Sequence, residues 1–415
     1  MTMVSDAPAG TVTSLFTPGT LDAARASGPQ TAMPLSADTA PASRKGEDAP
    51  LFPEPPPVLA ALDAAIRRDI AARQGRGHLG MSQIGKADTR TLWLQFRGCL
   101  PEEHSPRTER IFRLGDAIEQ ELVRYLRQIP GVELHTTDPD GRQFRFAYFG
   151  GHFGGSMDGA IHGIPEAPKT WHVFEAKSVA AKRFNDLEKK GVQAWSPEYF
   201  AQLQCYMGAS GMERALFVAY CKDDSRIHAE RVRFEPMTWD GLLAKAQRLL
   251  EADTPPASSY RDPSWYEAKW MPPITAAVYW GERLPPVAHC RNCRFSAPDL
   301  RSEDLGAHWL CSMAGEEIPA AVVPKGCQWH QWIHALCPLP VVEADATRTV
   351  YALPDGRQIA NGADDYRSQE LAEASKNNFM VLDPIGDAIH QTFDARLVHA
   401  SEPLTVGDGD DEVPF

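Results

Sequence analysis

The strongest limit on how this 415-residue chain can fold is a repeated switch of hydrophobic period between residues 56 and 285. "VLAALDAAIRRDIAARQ" and "RTERIFRLGDAIEQELVRYLRQIPGV" repeat at helical spacing. The second carries a core stripe of Ile118, Leu122, Val123 and Leu126 and is stopped by Pro130-Gly131. "QFRFAYFGG", "HFGGSMDGAIHG" and "TWHVFEAKS" then read as strands. "SPEYFAQLQCYMGA" predicts a helix with Ser196 as N-cap and Pro197 in its first turn. "RALFVAYCK" and "IHAERVRFE" alternate like paired strands, and "MTWDGLLAKAQRLLEA" closes with another amphipathic helix. That order predicts a mixed α/β domain over 56–285, in a chain long enough to bury a real core.

The flanks differ in composition. Residues 1–55 are rich in Pro, Ala, Ser, Thr and Gly and predict a disordered arm. Residues 286–337 are rich in cysteine, 338–400 read as a small appended α/β region with a turn at "LPDGRQ", and 401–415 as an acidic flexible tail. The opening "MTMVSDAPAGTVTSL" lacks the basic and apolar regions of a secretory signal, and no run of about 18 apolar residues exists. A cytoplasmic protein with no membrane partner is expected. A formal net charge of −13 argues against a general polyanion binder, but leaves room for a local basic groove.

Within "HVFEAKS", Glu175 and Lys177 lie two apart and share a strand face behind the apolar His172, Val173 and Phe174. Upstream, Asp158 sits in the Gly-flanked turn "GGSMDGAI". If 155–161 and 171–178 pair as a hairpin, Asp158 and Glu175 converge. Two carboxylates with a carbonyl and waters suit Mg²⁺, which activates a water nucleophile, while Lys177 can orient that water. Taken singly, a Glu-x-Lys on a strand is usually a solvated ion pair and an Asp-Gly usually a turn. Their order behind "HVF" points to a site.

"GSMDG", then "FEAKS", then "QLQCYM" resembles the PD-(D/E)XK nuclease superfamily, in its RecB-like and phage-exonuclease branch, over roughly residues 80–235. The resemblance implies a restriction-endonuclease-like core, a central mixed sheet flanked by helices. It implies metal-dependent hydrolysis of DNA phosphodiesters. Asp158, Glu175 and the Ala176 carbonyl would hold Mg²⁺ or Mn²⁺, Lys177 would position the attacking water, and Gln202 would contact the DNA backbone or the lysine. Gln202 and Tyr206 match a Q-x-x-x-Y motif. Glu119 matches an acidic residue on the first core helix of phage-type members, where RecB-type members often carry His, so the chain leans to a phage or prophage exonuclease of recombination, repair or replication. A phage annealing protein is then an expected partner. Arg90, Arg113, Lys182, Arg183 and Tyr206 are candidate DNA contacts, with Arg110, Lys189 and Lys190 beside them. The alternatives are an endonuclease, a nuclease of the kind used in CRISPR adaptation, or a non-enzymatic DNA-binding and recruitment protein on the same fold.

Cys290-x2-Cys293, Cys311 and Cys327 form a set with the spacing of a tetrahedral Zn²⁺ site, with His289, His308 and His330 as spare donors. Some RecB-like relatives hold a 4Fe-4S cluster through one cysteine before the nuclease core and three after it. Here Ala87 or Asp88 stands at the early position, Cys99 is poorly placed, and all four clustered cysteines follow the core, which favours zinc. The last residues, "DDEVPF", resemble the acidic tip of bacterial single-stranded-DNA-binding proteins. The resemblance implies recruitment through Asp410–Phe415 to host proteins that bind such tips.

Overall fold

The computed structural model describes residues 56–71, 77–101 and 105–379. The expected N-terminal arm, the end of the appended region and the acidic tip lie outside the described residues. The described residues divide into two compact units. One contains 77–101 and 114–379, the other 56–71 and 105–113.

In chain order the first part runs α1 (Pro57–Ala71), β1 (Leu79–Gly80), α2 (Thr89–Phe96), α3 (Pro106–Leu126), β2 (Glu133–His135), β3 (Arg145–Tyr148), β4 (Phe153–Ser156), β5 (Gly159–His162), β6 (His172–Val179), α4 (Ala181–Trp195), α5 (Pro197–Ser210), β7 (Arg214–Cys221), β8 (Ile227–Arg233) and α6 (Pro236–Glu251). In the smaller unit, Arg110 pairs with Asp63 at 2.6 Å and Arg113 with Asp69 at 3.0 Å, joining α1 to the start of α3. Both pairs are well exposed and contribute little stability.

The larger unit is built on a five-stranded sheet in the order β2-β5-β6-β7-β8. β6 and β7 are parallel and the other neighbours antiparallel, so the sheet is mixed. A parallel pair needs a crossover, which α4 and α5 supply. Alternation along the strands sorts the two faces. Phe174 and Ala176 of β6 and Leu216 and Val218 of β7 pack in one cluster with Leu122 and Val123 of α3, Leu134 and Ile161. On the other face the Phe217 ring lies 6.3 Å from the rings of Trp195 and Tyr199. Glu175, level with Phe217, therefore belongs to the face covered by α5.

Two details depart from the sequence reading. "HFGGSMDGAIHG" is not one strand: β4 joins a small sheet with β1 and β3, and β5 joins the main sheet. The chain changes sheets at Met157-Asp158, which frees Asp158 from either ladder. The connection from β6 to the expected helix at 196 also contains a further helix, α4, whose charged sequence buries Phe184, Leu187 and Val192. At Gly163 the backbone is left-handed (φ +78°), and an added Cβ would stand 1.8 Å from the Gly131 carbonyl oxygen. This glycine lets β5 and the α3–β2 turn close on each other.

The remaining elements are α7 (Pro273–Tyr279), β9 (Ser296–Pro298), β10 (Trp309–Cys311), β11 (Glu316–Ile318), β12 (Val341–Ala344), β13 (Arg348–Ala352), β14 (Gln358–Gly362) and α8 (Ser368–Ser375). The strands among them form two three-stranded antiparallel sheets, β9-β10-β11 and β12-β13-β14. No helix among the described residues is long and apolar enough to cross a membrane.

Candidate active site

The register of β5 on β6 builds the site. The last pair is Gly159 opposite Phe174, so Asp158 stands one step beyond, level with Glu175. There the Ala176 amide has lost its β5 partner and donates instead to Asp158 Oδ2 at 3.0 Å. One hydrogen bond thus fixes the Asp158 carboxylate beside the strand that carries Glu175 and Lys177.

Glu175 is 1% exposed in its side chain and Lys177 22%. The Lys177 ammonium donates to Glu175 Oε1 and, at 3.1 Å, to the Ala176 carbonyl. Its Nζ also lies 5.6 Å from the centre of the Tyr199 ring. Ser196 accepts from the Tyr199 amide at 3.4 Å and Pro197 opens α5, as the sequence predicts. The helix so started aims Gln202 and Tyr206, one turn apart, at the same carboxylate. Gln202 Nε2 donates to Glu175 Oε1 at 2.8 Å and to the Tyr206 hydroxyl at 3.4 Å. Gly155 of β4 makes room for that tyrosine, since a Cβ there would lie 3.1 Å from its hydroxyl.

Glu175 Oε2 is buried with no hydrogen-bond partner. Burial pushes the Glu175 carboxyl up to about 8, Lys177 pulls against it, and the negative charges of Asp158 and Glu119 add to the rise. Glu119 of α3 is pushed up to about 7, by burial first and then by Asp158, with Lys177 opposing. Burial works against the Lys177 ammonium, but Glu175 and Asp158 outweigh it and hold its pKa above the usual lysine value. Three carboxylates thus feel one another around a single ammonium, and one oxygen lacks any donor.

Among the described residues, no three His, Cys, Asp or Glu side chains converge tightly enough to hold an ion by themselves. A hard cation needs fewer protein ligands than that. Mg²⁺ is held by one or two carboxylates and keeps several waters. The orphaned Glu175 Oε2, the Asp158 carboxylate and the Ala176 carbonyl fit such a donor set.

The structure distributes the expected DNA contacts unevenly. Lys182 and Arg183 are exposed at the start of α4, just past the end of β6, and Arg183 lies 4.8 Å from the centre of the Trp195 ring. Lys189 and Lys190 are exposed on the same helix. Arg90 has another role: it donates to the carbonyls of Tyr279 at 2.8 Å and Pro256 at 3.0 Å and stacks on the Tyr279 ring, joining α2 to α7. Arg113 is bound to Glu109 and Asp69. Tyr206 is 2% exposed, so it supports Glu175 from behind through Gln202 and is not open to a nucleic acid. Tyr199 was not legible as a site residue. Its signal is position, three residues before Gln202 on the same helical face.

All eight cysteines are unbridged. Cys290, Cys293, Cys311 and Cys327 line one cavity of about 430 Å³. Of the three histidines, only His330 lines it. His289 Nε2 donates to the Gly98 carbonyl oxygen at 3.0 Å, and His308 is paired with Asp304 and Glu317. Asp88, at the place of the early cysteine, caps α2 by accepting from the Thr91 amide. Cys99 is buried away from that cavity's lining.

No family model matches the chain, and no curated protein matches it. Among solved structures, LHK-Exo in complex with dAMP is similar over 42% of this chain and 86% of its own, at 20% identity and a TM-score of 0.32. SSO0001 is similar over 53% and 95%, at 14% identity and a TM-score of 0.32. The alkaline exonuclease (LHK-Exo) from Laribacter hongkongensis is similar over 46% and 90%, at 17% identity and a TM-score of 0.28.

Proposed function

We propose that the chain is a metal-dependent deoxyribonuclease of the PD-(D/E)XK type, acting as a phage- or prophage-type exonuclease in recombination, repair or replication. The observation that supports this is the interlock of Asp158, Glu175, Lys177 and Gln202 at one end of the main sheet, with an unpartnered carboxylate oxygen at its centre. A structural ion pair has no use for a second and third carboxylate beside it, since each adds repulsion and desolvation cost.

Asp158, Glu175 and the Ala176 carbonyl would hold the Mg²⁺ or Mn²⁺. Bound there, such an ion would supply polarisation of a phosphoryl oxygen and a lowered pKa for a bound water. Gln202 fixes the Glu175 carboxylate by donating to Oε1, which leaves Oε2 directed elsewhere. Lys177 has three donor hydrogens, of which Glu175 and the Ala176 carbonyl take two. The third can hold a water in line with phosphorus and offset the charge that grows on the phosphate. Lys182 and Arg183 lie beyond the strand end, where they can meet the backbone of the DNA without reading its sequence.

The test is digestion of end-labelled linear duplex and covalently closed circular DNA. Mg²⁺-dependent loss of the linear form with the circle intact is the expected result. Cutting of the circle would move the reading to an endonuclease. No cleavage of duplex or single strand with either Mg²⁺ or Mn²⁺ would end it.

A pH dependence follows. With Glu175 pushed up to about 8, and Glu119 beside it to about 7, protons would compete with the cation for the Glu175 oxygens and lower the negative charge around it. At limiting Mg²⁺, activity should rise between about pH 6 and pH 9 as those protons leave, and more Mg²⁺ should move the midpoint to lower pH. A pH–rate midpoint that does not respond to Mg²⁺ would mean that these carboxyls do not compete with the ion.

A further inference from the structure

The cysteine-lined cavity stands apart from the nuclease site in every residue. It is walled by Phe295, Met313, Ile318 and Trp329, and the four cysteines reach it from three separate pieces of chain. Cys290 opens a short 3-10 turn, Cys293 follows it, Cys311 ends β10, and Cys327 lies in the loop after Gly326.

The backbone meets two of the four sulfurs by hydrogen bond. The Cys290 thiol donates to the Val322 carbonyl oxygen at 3.9 Å. The Ala314 amide donates to the Cys311 sulfur at 3.5 Å. A neutral thiol is a poor acceptor and gains little from such a donor, whereas a thiolate gains much. Thiolates gathered in an apolar cavity repel one another unless a cation lies among them. His330, 4% exposed, lines the same cavity, and its Nδ1 has no hydrogen-bond partner.

We propose that this cavity seats a thiolate-bound metal centre with Cys290, Cys293, Cys311 and Cys327 as its four ligands. A single zinc holds sulfur at about 2.3 Å. Four cysteines line the cavity, and among the described residues no three ligating side chains stand close enough to hold an ion, so a lone ion requires the sulfurs to draw together, with Cys311 and Cys327 the freest to do so. These are the two members that are not buried. An iron–sulfur cluster fills more of the space through the same four sulfurs. Either centre displaces the thiol protons to solvent and ties β9 and β10 to the 322–330 loop, a segment with little core of its own.

The full chain, purified without oxygen, is assayed for zinc, iron and acid-labile sulfide. About one zinc per chain, or about four iron with four sulfide and visible absorption, is the expected result. Single Cys→Ser changes at 290, 293, 311 and 327 should each lower the bound metal, while Cys337→Ser, outside the cavity, should keep it. A second readout does not depend on variants that fold. The Cys327 thiol is exposed, so iodoacetamide should label it quickly if it is free. In the native chain it should resist labelling until a chelator removes the metal. Absence of zinc and iron, with Cys327 labelled equally fast before and after chelation, would overturn the proposal whether or not the chain digests DNA.

Discussion

Replacing Lys177 by Ala should lower single-turnover digestion of linear DNA at saturating Mg²⁺ by about 100- to 1,000-fold, the size of effect seen when one donor to a developing oxyanion is lost. The fold should persist. The Lys177 side chain is 22% exposed and lies near the C-terminal end of β6, and the carboxylate it leaves keeps its bond from Gln202. Substrate affinity should change far less than rate if, as proposed, the ammonium acts on the water and the reacting phosphate. Lys177→Arg should not restore the rate. A planar fork cannot make the two donations that a compact ammonium makes to Glu175 and the Ala176 carbonyl while keeping a third for water. Rates within a few-fold of wild type for Lys177→Ala, with unchanged circular dichroism, would remove this residue from the chemistry.

The grouping of the candidate site's residues was legible because its parts are local and alternate on a known period. Glu175 and Lys177 are two apart on a strand whose apolar start marks it as buried, and Gln202 and Tyr206 are one helical turn apart behind a clear Ser196-Pro197 start. Asp158 was legible through its glycines. What was not legible depends on pairing register or on tertiary partners. Nothing in "SMDG" says that the chain changes sheets there, yet that change is what leaves the Asp158 carboxylate to take the Ala176 amide. α4 hid because its start, Ala180, offers no side-chain cap and its sequence is broken by Gly191 (φ +70°). The basic residues show the same limit. Lys182 and Arg90 look alike in the sequence, but Arg90 is held by two carbonyls and a ring contributed from residues 256–279. Tyr206 was read as a DNA contact because motif position does not reveal which way a helix face turns.

Phe174→Ala should cost about 3–5 kcal/mol of stability, the usual range for emptying a fully buried phenylalanine site. Phe174 is 0% exposed and packs among Leu122 and Val123 of α3, Leu134, Ile161, Leu216 and Val218, so one side chain touches both the helix and the strands on either side of β6. The site can collapse little, because its neighbours are held by strand pairing on two sides. Met237→Ala, at a residue 88% exposed, serves as the comparison and should stay within about 0.5 kcal/mol of wild type. Urea unfolding followed by circular dichroism measures both, and a loss below about 1 kcal/mol for Phe174→Ala would mean that this cluster is not the core of the unit. The consequence for activity is separate. Phe174 precedes Glu175 and points to the opposite face, and it stands opposite Gly159 in the last pair of the ladder. A cavity there loosens the register that sets Asp158 level with Glu175. Activity per folded molecule should therefore fall along with stability, and raising Mg²⁺ should recover part of it. Lys177→Ala should show no such recovery, because no cation can replace a missing donor to the water.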